Sequence, residues 1–112
     1  VTHGTGVPGE DAREAEAWRK AFGPAAECVP ALAVTGAVGS LFAGAGGVEL
    51  AVAAEAVRKQ VIPPTVNHAA AAEGCGLSFR RVPELADLRY VVSGAFTVGG
   101  QSGACVLKRC ES

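Results

Sequence analysis

The first part of the chain carries a strand-like segment and then a helical hydrophobic pattern. Val1 to His3 reads as the end of a strand that runs into a glycine-rich turn. From Ala12 to Phe22 the apolar residues recur at spacings of three and four, the period of a helix with one buried face. Asp11 is a typical N-cap residue, and Glu14 three positions later gives the spacing of a capping box. We therefore predict a strand followed by a helix.

The middle of the chain predicts a second strand and a second helix. Val29 to Val34 is an unalternating apolar run of strand length, as expected for a strand covered on both faces. The small-residue segment Gly36 to Gly47 leads into a helix over roughly Gly46 to Gln60. Its predicted apolar stripe comprises Leu50, Ala54, Val57 and Val61.

Two extended segments close the chain, after a weakly patterned loop from His68 to Gly76. Arg89 to Phe96 and Gly103 to Lys108 have strand composition, and the residues between them have hairpin-loop composition. The predicted order is β-α-β-α-β-β with a terminal hairpin, which indicates an α/β fold.

Composition limits what the 112 residues do alone. Hydrophobic residues make up 49% of the chain, yet only 5% of the residues are aromatic. Small side chains each bury little area, at roughly 25 cal/mol per Å² of apolar surface, so we expect close packing against a partner. The chain has no methionine and begins with Val1, so we expect residues 1–112 to form a single partial domain of a longer protein.

Charge and candidate ligands exclude several function classes. The net charge is −1 and no basic stripe is present, which argues against nucleic acid binding. The longest apolar stretch, Val48 to Val57, contains two glutamates and is too short to span a membrane. His3 and His68 are far apart and adjoin no cysteine, so we expect no metal and no cofactor. We expect a cytoplasmic protein with four buried, reduced thiols, at Cys28, Cys75, Cys105 and Cys110.

Four segments of the chain carry motifs that can be compared with known families. The first is the stretch His3 to Pro8 followed by Asp11 to Ala17. The others are Gly39 to Gly46, Arg58 to Asn67 and Phe96 to Leu107. In order and spacing these segments together resemble the β-ketoacyl synthases of fatty acid and polyketide assembly, and the resemblance covers nearly the whole chain. It implies the C-terminal portion of a thiolase-like αβαβα fold, normally dimeric, without the N-terminal half that carries the nucleophilic cysteine.

The resemblance also implies an eroded catalytic site. In the family a cysteine takes the acyl chain, while two histidines support malonyl decarboxylation and stabilise the thioester oxyanion, and a lysine orders the site. His3 matches the first histidine, but the second falls on Ser40 and the lysine falls on Thr35. Ser40 cannot supply an imidazole and Thr35 carries no charge. His3 is then either vestigial or a working group.

A gating loop and an acyl tunnel are further expectations from the resemblance. The phenylalanine-bearing gating loop of the family corresponds to residues 97–102 here, which follow Phe96 and keep Gly99 and Gly100 but carry Val98 in place of the aromatic ring. Phe42 would line the acyl tunnel, pack at a dimer interface or belong to the core.

The resemblance favours a non-condensing subunit, of the kind called chain length factors in type II polyketide synthases. Such a subunit pairs with an active ketosynthase, shapes the tunnel of the growing chain and meets an acyl carrier protein; it would not be active alone. The alternative is a competent ketosynthase or acyltransferase half whose cysteine lies on another chain, with His3 at work in the site. A third hypothesis is a scaffold fragment without acyl chemistry.

Overall fold

The computed structural model describes residues 1–111 and confirms the α/β class. Its helices are α1 (Pro8–Phe22), α2 (Thr35–Val38) and α3 (Ala45–Lys59). Its strands are β1 (Pro30–Ala31), β2 (Val61–Ile62), β3 (Ser78–Phe79), β4 (Glu84–Leu85), β5 (Tyr90–Phe96) and β6 (Ser102–Lys108). The short strands β2, β3 and β4 interrupt the simpler predicted order, because two-residue strands leave no periodic pattern in the sequence.

Strand pairing places His3 between two parts of the fold. Strand β1 runs parallel to β3, β2 runs antiparallel to β4, and β5 and β6 form the predicted antiparallel hairpin. Thr2 bridges Ala33 in parallel, and the Gly94 amide donates to the Val1 carbonyl at 3.1 Å. The segment before His3 is therefore held on one side by β5 and on the other by the chain after β1.

Helix α1 begins at Pro8, earlier than the predicted start at Ala12. Proline suits the first turn, where its missing N–H would have had no partner within the helix. The N-cap residue is Val7, so the prediction of Asp11 as N-cap was wrong. The Asp11 carboxylate instead accepts main-chain hydrogen bonds from Thr5, at 2.9 Å, and Gly6, at 3.1 Å, and so fixes the glycine-rich turn before the helix.

Helix α3 packs on β5 through a face that matches the predicted stripe only in part. Of that stripe, Val57 is buried and Val61 is half-buried, whereas Leu50 and Ala54 are exposed. The other buried residues of the helix are Glu49, Ala53 and Ala56. A Cβ atom added at Gly46 would lie 3.4 Å from the Cβ atom of Ala95, so the two backbones approach closely. The helix turns its smallest side chains to the hairpin because that face allows the closest packing.

The buried apolar residues within 1–111 are mostly small, and none of the four thiols is buried. Only Leu32, Val57 and Ile62 among the buried apolar residues are larger than alanine. The expectation of four buried thiols was wrong, since Cys75 is half-buried and Cys28, Cys105 and Cys110 are exposed; all four are free. No helix within residues 1–111 has the length and apolar character needed to cross a membrane.

Candidate functional site

One carboxylate fixes the turn that carries His3. Glu14 on α1 accepts the main-chain N–H of His3 at 2.6 Å and that of Gly4 at 2.8 Å. The indole Nε1 of Trp18 donates to the same side chain at 3.0 Å. A Cβ atom added at Gly94 would lie 2.7 Å from Cζ2 of Trp18, so the indole lies directly on β5. Glu14 and Trp18 thus connect the His3 turn to the hairpin.

A second carboxylate holds the imidazole itself. The Nδ1 atom of His3 lies 2.9 Å from Oε1 of Glu49 on α3. The side chain of Glu49 is 3% exposed and that of His3 is 18% exposed. Burial raises the pKa of Glu49, and the hydrogen bond from His3 opposes that rise. The ring of Phe96 meets the imidazole edge-on, with 6.3 Å between centroids and an interplanar angle of 70°.

His3 and the predicted gating loop share a cavity of about 390 Å³. Phe96, Val98 and Gly100 line this cavity with His3, and Gly99 lies between the last two in the chain. The remaining lining residues come from the glycine-rich turn, α1 and the loop: Thr5, Glu10, Asp11, Arg13, Glu14, Ala17 and Thr97. The structure therefore brings together one imidazole, an apolar wall and several carboxylates.

Thr35 and Ser40, the other two positions expected from the resemblance, do not line the cavity. The Thr35 hydroxyl donates to the main-chain carbonyl of His3 at 2.9 Å, so Thr35 helps to hold the turn that carries His3. Ser40 is exposed and does not line the cavity. Phe42 is 87% exposed with a positive φ of 48°, so the hypothesis that it belongs to the core of this chain was wrong.

Sequence analysis does not predict that Glu14, Glu49 and Thr35 contact His3. It places Glu14 in a capping box, matches Thr35 to a lost lysine, and counts Glu49 only as one of two glutamates that interrupt an apolar stretch. A signal for Glu49 was present, because Glu49, Ala53 and Ala56 recur at helical spacing on a face of small residues. A lone acid among alanines on such a face indicates a buried carboxylate that needs a partner.

The chemistry available in this cavity is proton exchange and hydrogen bonding at His3. None of the four thiols lines the cavity. Within residues 1–111 no three His, Cys, Asp or Glu side chains are grouped so as to hold a metal ion. His68 lies in a different part of the loop region, where its ring contacts that of Phe79 with centroids 4.8 Å apart.

Comparison with known proteins identifies the family. Residues 1–69 match the model of the "Beta-ketoacyl synthase, C-terminal domain" family. The chain is 36% identical, over 96% of its length, to 3-oxoacyl-[acyl-carrier-protein] synthase 2 of Coxiella burnetii. It is 38% identical, over 93% of its length, to the tetracenomycin polyketide synthase ketoacyl synthase beta subunit of Streptomyces glaucescens. The alpha subunit of the same synthase is 33% identical over 96% of the chain.

These matches cover 26%, 25% and 25% of the three relatives, so the chain spans about a quarter of their length. The family model covers more than half of the chain, and the relatives align over nearly all of it. The chain belongs to the β-ketoacyl synthase family, in which it corresponds to the C-terminal domain.

Proposed function

We propose that this chain is the C-terminal part of a non-condensing ketosynthase-like subunit in a type II polyketide synthase. It would act by packing beside an active ketosynthase and shaping the acyl-chain tunnel, with an acyl carrier protein delivering the chain in the cytoplasm. Residues 1–112 would then be one partial domain, completed by an N-terminal half.

The observation that carries this proposal is the set of side chains that line the cavity. Of the three groups expected from the family in this domain, only the imidazole of His3 is present. Ser40 is exposed and uncharged, and the hydroxyl of Thr35 is used by the His3 carbonyl. Loss of one electrostatic contact at a reacting centre commonly lowers a rate by roughly 10²–10³-fold, so two losses disfavour decarboxylative condensation.

Two further observations support a role within a polyketide assembly. The beta and alpha subunits of the tetracenomycin ketoacyl synthase both align with nearly the whole chain. Large apolar side chains are exposed on the segment around Phe42 and on the hairpin at Val98 and Val106. Large apolar side chains left in water favour burial against another protein, and a ketosynthase partner would supply that cover.

The competing function is a catalytic one, in which His3 takes part in acyl transfer with a cysteine from another chain. The pairing of His3 with buried Glu49 favours this alternative, because a held imidazole is suited to proton transfer.

Replacing His3 in the assembled synthase separates the two functions. We expect His3→Ala to leave the rate of malonyl condensation unchanged, since the partner supplies the chemistry. The matched control is His68→Ala, which removes an imidazole outside the cavity. The rate is measured as carbon dioxide released from malonyl-loaded carrier protein. A fall of roughly 10²-fold or more in His3→Ala alone would establish the catalytic function instead.

A further inference from the structure

We propose that the turn after β2 and the residues after β3 form a binding site for the phosphate group of a phosphate ester. These two segments line an open pocket of about 500 Å³, whose polar side chains include Asn67, His68 and Arg81. No Asp or Glu side chain among residues 1–111 lines this pocket. The pocket shares no lining residue with the cavity of His3, so binding there is independent of the proposed function.

The guanidinium of Arg81 provides a positive charge that is not paired within residues 1–111. It forms no ion pair there, and its Nη2 donates to the main-chain carbonyl of Ala69. The neighbouring guanidinium of Arg80 is engaged, because it donates to Glu84 at 2.6 Å and to Ser78 at 2.6 Å. A guanidinium carries five N–H donors in a planar fork that matches the oxygens of an anion. Arg81 therefore keeps donors for a ligand.

The imidazole of His68 supplies a second donor to the same pocket. The ring packs against that of Phe79, and within residues 1–111 neither of its nitrogens has a hydrogen-bond partner. His68 also lines a second cavity with Asp11 and Glu14, but those carboxylates accept main-chain N–H groups of the glycine-rich turn. An imidazole carries at least one N–H, so His68 keeps a donor for a ligand in the pocket.

Contacts between the two segments hold the pocket in shape. The main-chain N–H of Thr65 donates to the carbonyl of Arg80 at 2.8 Å, one residue before Arg81. Asn67 has a left-handed φ of 60°, and its Nδ2 donates to the carbonyl of Gly36 at 2.7 Å. The turn is thus bonded to two separate parts of the chain. Donors that are already held in place lose less conformational entropy when a ligand binds.

The arrangement of donors selects the chemical class of the ligand. A carboxylate has two oxygens, and one guanidinium fork engages both of them. A phosphate ester presents three strong acceptor oxygens, so it can bind Arg81 and still accept a hydrogen bond from His68. The volume of the pocket is in the range of small-molecule sites, roughly 300–1,000 Å³, which leaves room for the esterified part of the ligand.

Titration with glycerol 3-phosphate, followed by NMR, tests the site. The chain is labelled with ¹³C and ¹⁵N and purified with any polypeptide that accompanies it. The ionic strength is held at about 0.15 M, where attraction between distant exposed charges is largely screened. We expect the side-chain resonances of Arg81 and His68 to shift and to saturate. Sodium acetate, titrated in the same way, should bind about tenfold more weakly or less, because it lacks the third oxygen.

Arg81→Gln should weaken the binding of glycerol 3-phosphate about tenfold or more, because charge-assisted hydrogen bonds are lost. The control Arg89→Gln removes an exposed arginine that pairs with Asp87 outside the pocket, and it should leave the affinity unchanged. Equal weakening in the two variants would overturn the inference, since it would indicate general attraction to positive charge. So would acetate binding as tight as that of glycerol 3-phosphate. Resonances of Arg81 and His68 that do not shift in the unmodified chain would overturn it even if Arg81→Gln does not fold.

Discussion

The contact between Trp18 and Gly94 offers the sharpest test of how the His3 turn is held. A Cβ atom at Gly94 would lie 2.7 Å from Cζ2 and 3.0 Å from Cη2 of the indole. Real Cβ atoms do not approach other heavy atoms so closely, so Gly94→Ala must displace either the ring or β5. Overpacking of this kind typically costs about 1–3 kcal/mol of unfolding free energy.

The assay is equilibrium unfolding in urea, read from tryptophan fluorescence, since Trp18 is the single tryptophan of the chain. A loss of that size would lower the urea midpoint by about 1 M for a protein of this length. The matched control is Gly103→Ala on the neighbouring strand β6, where a Cβ atom would meet no heavy atom within 4 Å. That control should leave the midpoint nearly unchanged.

A double mutant tests whether the indole is the cause. Phenylalanine lacks the two indole carbons that the methyl group introduced by Gly94→Ala would strike, so this substitution should cost less in a Trp18→Phe background. The Trp18→Phe parent is followed by circular dichroism, since it lacks the fluorophore. Equal midpoints for Gly94→Ala and Gly103→Ala would refute the packing argument, and so would a cost that is unaffected by Trp18→Phe.

Two further predictions concern the groups around His3. Thr35→Val keeps the shape of the side chain but removes the donor to the His3 carbonyl, so the free energy of unfolding should fall by about 1 kcal/mol in urea titrations; an unchanged value would show that the bond is not formed in solution. Burial raises the pKa of Glu49 above its ordinary value of 4.5. The contribution of Glu49 to the free energy of unfolding is therefore most favourable below pH 4.5, and it is lost as the pH rises through the pKa of the folded state. Above pH 4.5 the free energy of unfolding should therefore fall less steeply with pH in Glu49→Gln than in the unmodified chain. Identical slopes in the two proteins would contradict a buried carboxylate at Glu49.

Much of the fold can be predicted from the periodicity of hydrophobic residues along the chain. Where the prediction is wrong, the reason is physical. The long helices and the hairpin β5–β6 carry repeated patterns, so their existence was predictable. The orientation of α3 was predictable only in part: Val57 is buried as expected, but Leu50 is exposed because the close approach of β5 favours the face that carries Ala53 and Ala56. The three short strands depend on contacts between distant segments, which a local pattern does not contain.

The candidate site is also only partly predictable, because the residues that meet there lie far apart along the chain. His3 and the loop from Phe96 to Gly100 were identified by resemblance, and the structure places them in one cavity. Glu14 and Glu49 reach His3 across 11 and 46 positions, so only the fold reveals that they hold it. Phe42 was left between an acyl tunnel, a dimer interface and the core, and its exposure in the structure rules out the core of this chain.

The central claim is that this chain works as part of a larger ketosynthase assembly. Native mass spectrometry of the purified material, with a denaturing spectrum of the same sample, tests that claim most directly. The account predicts a native mass above that of the 11.2 kDa chain, and a second polypeptide bearing a ketosynthase cysteine in the denaturing spectrum. A single folded species at 11.2 kDa would contradict it and would leave a small binding domain built on the same fold.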